Sequence, residues 1–418
     1  MTPSIKQRIE QIRRGEVPEG YKQTGQNIVP ITWKRLSFDQ VAVVRSGLVS
    51  PKAEPYSSML HIGPENIEKD TGKIENVRSA SELGLISGKF YFDSSSIVYS
   101  KIRPNLNKVC VPDFEGICSA DCYSIKARND IDKNYLFVLM LSHQFYKRAV
   151  ACSMRTGMPK INQDDLNAIC LVLPEDFAEQ QKIAAILTTQ DKVIELKEKR
   201  LAEKLRQKKY LMQQLLTGRK RLTGFNLAWK KTKLKNILHE RKTYSPKGLE
   251  YPHVTLSTEG IFPKSNRYDR DHLVRNEYKE YKITHKGDIC YNPANLKFGV
   301  ICENTFGDAI FSPIYVTFEV NQNVCKEYLA NYLMRWDFIN AVRKYEEGTV
   351  YERMAVKPED FLKFEILLPH IAEQSAIAQV LSTADREISL LRQDIEQEKQ
   401  KKKALMQLLL TGIVRVKI

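Results

Sequence analysis

The chain contains no uninterrupted apolar stretch of about 18 residues, so no segment is expected to cross a bilayer as a helix. Met1 to Gly20 lack the apolar centre of a secretory leader. No Gly-x-x-x-x-Gly-Lys-Ser/Thr is present to cradle a nucleoside triphosphate, and no glycine-rich loop follows a strand where S-adenosylmethionine would sit. A magnesium-dependent nuclease needs clustered carboxylates with a lysine on a strand. Glu195-Leu196-Lys197 has those letters but falls in a helical pattern, where it is a solvated face. Asn292-Pro293-Ala294 echoes the Asn-Pro-Pro-aromatic motif of amino-methyltransferases but lacks the aromatic residue. There is no Cys-x-x-Cys and no His-x-x-x-His, so no metal site is expected. The eight cysteines (Cys110, Cys118, Cys122, Cys152, Cys170, Cys290, Cys302 and Cys325) read as core thiols in a reducing, cytoplasmic setting.

What the chain has in excess is positive charge and self-similarity. Its 65 Lys and Arg against 50 Asp and Glu leave a formal charge of +15 over 418 residues. That favours a polyanionic partner, nucleic acid before an anionic membrane. Residues 178–218 and 372–412 align without a gap at a spacing of 194, with 19 of 41 positions identical. Both copies begin Ala-Glu-Gln (178–180, 372–374) and close on Leu-Leu-Thr-Gly (215–218, 409–412). Apolar residues recur every seven positions: Leu187, Ile194, Leu201 and Leu215, then Leu381, Ile388, Ile395 and Leu409. Lys208 and Lys402 interrupt the series at the same place. Such a seam needs a facing helix, and the other copy is the obvious partner. About 40 residues of helix would span ~60 Å, so the pair is expected to act as a ruler between two globular segments.

Those segments also match. Trp33-Lys34 opens one and Trp229-Lys230 the other; Leu173-Pro174 and Leu368-Pro369 close them. Ile97-Val98-Tyr99 matches Ile289-Cys290-Tyr291, and Tyr123 is placed opposite Tyr315 in the alignment. Short runs such as Phe90-Tyr91-Phe92, Ser96–Tyr99 and Ile314–Phe318, separated by Gly, Pro, Asn and Asp, predict strands. One helical stretch is predicted before each last strand, near Tyr135–Ala151 and Lys326–Tyr345. The expected organisation is α+β: a helical segment 1–25, globular domains 26–174 and 223–369, and long helices 175–222 and 370–418. Ile5–Ile12, stopped by Gly15 and followed by Thr24-Gly25, reads as a short helix that supplies a helix end for the first domain and closes the pseudo-symmetry.

The architecture resembles the specificity subunit of type I restriction–modification systems. The resemblance covers essentially the whole chain and rests on these motifs. Its pieces are the two Trp-Lys starts, Leu-Pro followed by Ala-Glu-Gln-x-x-Ile-Ala at 173–184 and 368–378, and Leu-Met-Gln-x-Leu-Leu-Thr-Gly at 211–218 and 405–412. To these are added Tyr99-Ser100-Lys101-Ile102-Arg103-Pro104-Asn105-Leu106-Asn107-Lys108 and Gly157-Met158-Pro159-Lys160-Ile161-Asn162-Gln163. It implies two target recognition domains joined by an antiparallel helix pair, each reading half of a split double-stranded DNA site. It also implies no catalysis by this chain. Two modification subunits would dock on the helices and methylate adenine, and motor-nuclease subunits would add for cleavage. S-adenosylmethionine, and ATP with magnesium, are then expected on those partners and no cofactor on this chain. The second domain departs from the pattern, with Asn292-Pro293-Ala294-Asn295-Leu296-Lys297 where the first has its Lys-Ile-Arg-Pro run.

DNA reading requires cations for phosphates and amides or guanidiniums for base edges. The candidates in the first domain are Lys101, Arg103, Asn105, Asn107 and Lys108, with Arg155, Thr156, Lys160 and Asn162 as a second cluster. In the second domain they are Asn292, Asn295 and Lys297, with Lys344, Thr349, Tyr351 and Arg353. Arg219-Lys220-Arg221 reads as phosphate contact or plain surface. Both copies keep Ala-Glu-Gln and Leu-Met-Gln, more than a heptad seam demands. Exposed parts of these signatures, Glu179, Gln180 and Met212 with Glu373, Gln374 and Met406, are therefore expected to bind the modification subunits. Two readings of other classes stay open: a catalytic subunit with a diverged motif, and a coiled-coil adaptor whose charge serves a protein partner.

Overall fold

The structure is a computed structural model that describes residues 3–25, 27–153, 159–246, 250–264, 280–345 and 355–417. Its contacts divide the chain into two compact units. Unit 1 comprises residues 1–197 with 394–418, and unit 2 comprises residues 198–393. The boundaries fall inside the two long helices, Phe177–Leu215 and Ile371–Leu409, so each unit owns part of both. Among the described residues no helix is long and apolar enough to cross a membrane.

In unit 1 the run Ser96–Ser100, buried at every position, is the centre of a four-stranded antiparallel sheet. The order is Val109–Cys110, Ser96–Ser100, Cys122–Ala127, Ala42–Val44. A five-stranded sheet lies beside it in the chain. Its order is Leu48–Val49, Lys89–Phe92, Gly116–Cys118, Leu60–Ile62, Arg78–Ser79, with one parallel pairing between Gly116–Cys118 and Leu60–Ile62. The strand that starts at Trp33 pairs antiparallel with the strand that ends at Pro174, Trp33 opposite Pro174. The Trp-Lys and Leu-Pro signals therefore mark the two strands of one ladder. The predicted helical stretch is two helices, Lys133–Met140 and His143–Ser153. Asp132 caps the first by accepting from the Tyr135 amide at 2.8 Å. Ser142 Oγ accepts from the Phe145 amide at 3.3 Å and starts the second, which is why the helical stretch breaks there.

Unit 2 repeats the plan with other residues. Its central sheet runs Leu238–Glu240, Val316–Val320, Ile289–Tyr291, Ile301–Glu303, and a three-stranded sheet runs Tyr244–Pro246, Glu280–Thr284, Ala309–Phe311. Lys230–Lys233 pairs with Glu365–Leu368. The predicted helix is again two, Lys326–Leu333 and Trp336–Val342. The strand expected over Ile314–Phe318 starts at Val316, because Tyr315 is in a turn bonded back to Ser312. The alignment of Tyr123 with Tyr315 is also corrected. Tyr99 faces Tyr123 across its ladder, but the matching Tyr291 faces Val316.

The helix pair is antiparallel within each unit. In unit 1, Asp191 meets Lys402 while Lys197 meets Asp394, so one number rises as the other falls. In unit 2, Lys204 meets Glu387 and Lys208 meets Asp385. The two lysines that interrupt the apolar seam thus form the same ion pair in both units, Lys208–Asp385 and Lys402–Asp191, each at 2.5 Å.

Each helix ends by closing the core of a unit. Leu215 and Leu216 join the core of unit 2 with Leu234, Tyr291, Phe318 and Phe361. Leu409 and Leu410 join the core of unit 1 with Trp33, Tyr99, Tyr135 and Phe145. This corrects the expectation for residues 1–25. The helix Pro3–Arg13 does form, but the second long helix supplies the end that closes unit 1. The N-terminal segment packs onto that end, where Tyr21 donates its hydroxyl to the Gly412 carbonyl at 2.9 Å. Gly218 and Gly412 turn the chain at φ +72 and +71. A Cβ at Gly412 would lie 2.5 Å from Pro30 Cδ, so the close approach also requires glycine.

Candidate nucleic-acid interface

After Ser100 the chain of unit 1 leaves its sheet in a tight loop. Arg103 and Asn107 adopt left-handed conformations, φ +48 and +45, on either side of the Pro104–Leu106 turn. This loop lies along residues 159–161. The Arg103 amide donates to the Pro159 carbonyl at 2.7 Å, the Ile161 amide donates to the Lys101 carbonyl at 2.9 Å, and Ile102 bridges to Lys160. Tyr123 ties the second segment down by donating to the Ile161 carbonyl at 3.2 Å. Two clusters separated by some fifty residues in sequence are therefore one surface. Arg103, Asn105 and Lys160 are exposed on it. Lys101 Nζ stands 5.2 Å from the Tyr123 ring centroid and 5.9 Å from that of Phe90. Burial, reinforced by the nearby Lys160, holds its pKa below the usual lysine value.

Other candidates in this loop have internal duties. Asn107 is buried and donates its amide to Asp70 Oδ1 and to the Leu141 carbonyl, both at 3.2 Å. Lys108 Nζ donates to the Pro64 carbonyl at 2.5 Å. Asn162 caps the Gln163–Asn167 helix, accepting from the Asp165 amide at 2.7 Å. Asn107 and Lys108 are therefore corrected from reading residues to residues that shape the loop. The acceptor of Asn162 is likewise taken. Arg155 and Thr156 lie outside the described residues.

Unit 2 builds a counterpart. After Tyr291 the chain turns through Leu296–Phe298 and lies against residue 356, whose amide donates to the Pro293 carbonyl at 3.3 Å. Tyr291 donates to the Val356 carbonyl at 3.0 Å, the task that Tyr123, on a different strand, performs in unit 1. Asn292 is buried and accepts from the Ala294 amide at 3.1 Å, so the methyltransferase-like Asn-Pro-Ala is a turn and Asn292 leaves the candidate surface. Asn295 and Lys344 are exposed, and Lys297 lies over the exposed Phe298 ring at 5.3 Å. Thr349, Tyr351 and Arg353 lie outside the described residues.

The long-helix signatures are not exposed. Glu179 and Glu373 are each only 1% accessible. Arg415 chelates Glu179, and Arg221 chelates Glu373 with Nε–Oε1 at 2.6 Å and Nη2–Oε2 at 2.7 Å. Trp229 Nε1 also donates to Glu373, at 3.1 Å. Gln180 donates to the Pro174 carbonyl and accepts from the Asp132 amide; Gln374 donates to the Pro369 carbonyl and accepts from the Cys325 amide. Met212 and Met406 pack against the cores of units 2 and 1. Glu179, Gln180, Glu373 and Gln374 are thus corrected from exposed docking residues to buried fasteners that hold helix starts to the domains. Arg221, expected as phosphate contact or plain surface, is instead a partner of a buried carboxylate, and so is Arg415, which no motif marks. The signal was available, because the repeat spacing of 194 carries Arg221 onto Arg415. Apolar residues that are exposed at matching repeat positions are Phe177 with Ile371, and Leu196 (56%) with Leu390 (59%).

Among the described residues no group of three His, Cys, Asp or Glu could hold a metal ion. The loops offer cations, amides and aromatic rings, chemistry suited to phosphates and base edges.

The family model for the type I restriction modification DNA specificity domain matches residues 64–206 and 226–400. The chain is 39% identical over 181 residues to the specificity subunit of the Escherichia coli type I restriction enzyme EcoDI, a match that spans 43% of this chain and 38% of that protein. It is 25% identical over 335 residues to the specificity subunit of the Methanocaldococcus jannaschii enzyme MjaVIII, 72% of this chain and 75% of that one. In fold it is similar to a chain from a structure of complex assembly and conformational transition in the type I R-M system. The TM-score is 0.59 at 16% identity, covering 92% of this chain and 99% of the other.

Proposed function

The chain belongs to the family of type I restriction modification DNA specificity domains. From that premise we propose that it is the sequence-reading subunit of a type I restriction–modification complex. Each unit contacts one half of a split site on double-stranded DNA. The chain performs no catalysis, and S-adenosylmethionine and ATP with magnesium are bound by partner subunits in the cytoplasm. The observation that carries this reading is the pair of equivalent loops. In each unit, one follows the central strand and lies against a distant segment, and each presents cations and amides. The experiment is an exchange of residues 26–174 for the corresponding segment of a relative, co-expressed with the modification partner, followed by methylation mapping. One half of the methylated site changes and the other stays. A change in both halves, or in neither, overturns the two-reader proposal.

The partner surface proposed for two modification subunits is the repeated set Phe177 and Ile371, Leu196 and Leu390. These are solvent-exposed apolar side chains at equal positions of a duplicated helix. Duplicated exposure suits two copies of one partner.

A further inference from the structure

Several cations of the long helices and their ends are committed. Lys197, Lys204, Lys208 and Lys402 are in ion pairs across the helix pair, and Arg221 and Arg415 hold the buried glutamates. Next to the candidate loops stand cations that are not. The His143–Ser153 helix packs against the Pro104–Leu106 turn. Phe145, its third residue, is buried against Tyr99 and Phe38 with ring centroids 5.8 and 6.1 Å away. On its outward side Lys147 is exposed and Arg148 half-exposed, and neither has a partner among the described residues. In unit 2 the Trp336–Val342 helix packs against the Leu296–Phe298 turn. Its third residue, Phe338, is buried against Phe361 and Phe364, each 5.9 Å away.

Setting Phe145 upon Phe338 places Lys147 at Asn340. Lys344, exposed and likewise without a partner among the described residues, follows four positions later, in the Arg343–Tyr345 turn after the helix ends at Val342. Two domains of unlike sequence therefore each carry an uncompensated lysine at the helix that buttresses the reading loop, Lys147 on it in unit 1 and Lys344 in the turn that directly follows it in unit 2.

Resting on the DNA reading above, we infer that the His143–Ser153 helix, and in unit 2 the Arg343–Tyr345 turn that ends the equivalent helix, are backbone clamps. Lys147 with Arg148 in unit 1, and Lys344 in unit 2, bind the sugar-phosphate strand flanking the bases that the loops address. They set register and take no part in choosing sequence. An unpaired, exposed cation can replace a condensed counterion without first breaking an ion pair, which the helix-pair lysines would have to do.

The test is binding of the full-length chain to a fluorescent duplex of about 30 base pairs over a salt series. The backbone term is sequence-independent, so the target need not be known. The wild-type chain gives a steep log–log slope. Lys147→Gln with Arg148→Gln reduces it by about 2, and Lys344→Gln by about 1. Lys147→Arg keeps the wild-type slope and shows that a cation, not a particular shape, is needed. Methylation mapping of the co-expressed complexes returns the wild-type site. Variants that fold normally and keep the full slope overturn the clamp assignment. A changed half-site overturns the positioning-only role. If the wild-type chain itself shows no salt-dependent binding, it is the DNA reading that fails.

Discussion

Among single residues, the most consequential are Glu179 and Glu373, because a carboxylate at 1% accessibility needs its arginine. Removing the arginine strands a buried charge, whereas removing the glutamate frees an arginine that can reach water. Arg415→Ala is therefore expected to lower stability by about 3 kcal/mol, more than Glu179→Gln does. Arg221→Ala against Glu373→Gln should follow the same order. The check is the set of urea midpoints of the four variants; equal losses within a pair would show that the charge is not what matters. His61 offers a second handle. It is buried, and among the described residues neither ring nitrogen has a partner. Burial pushes its pKa below 6.5, and Lys89 adds to the effect while Glu65 opposes it. The folded state thus holds fewer protons than the unfolded one. The stability it contributes is present above pH 6.5 and is lost as pH falls below it. Unfolding midpoints from pH 7 to 5 should drop more steeply for the wild type than for His61→Phe. Glu398, held down to about 2 by Gln190 and Lys197, loses its contribution below that window, as pH falls from 4.5 towards 2. Parallel curves would remove His61 from the account.

At the scale of elements, the long helices divide their faces between tasks. The seam residues Leu187, Ile194, Leu381, Ile388 and Ile395 are buried, interrupted by one lysine–aspartate pair in each unit. A polar slot in an apolar seam sacrifices some stability and favours one register. The first turn of each helix is spent on the domain through Glu and Gln. The apolar residue that opens each helix is left exposed, so Phe177→Glu with Ile371→Glu should leave the isolated chain folded, with an unchanged melting temperature. The same variant should fail to co-elute with its modification partner. Co-elution at the wild-type ratio would exclude these residues from the contact.

Across the whole molecule, duplication explains both what was legible in the chain and what was not. The repeat of Ala-Glu-Gln and Leu-Leu-Thr-Gly, the Trp-Lys and Leu-Pro borders, and strands such as Ser96–Ser100 are local or periodic records, and the structure keeps them. The α+β class follows from the same records. The loop after Tyr99 was also visible, because proline and asparagine exclude a helix there. Other features depend on residues far apart in the chain meeting. Arg415 reaches Glu179 across 236 positions, and Tyr21 reaches Gly412 across 391. Such contacts decide that the second long helix closes unit 1, and that each helix is shared between units rather than forming a segment of its own. They also turn the repeated acidic residues, which composition marks as surface, into buried fasteners. Burial is a property of the assembled core. Spacing and periodicity by themselves determined the elements and their duplication. Only tertiary packing decided which polar residues were enclosed, and which, like Arg103 and Lys147, were left facing solvent.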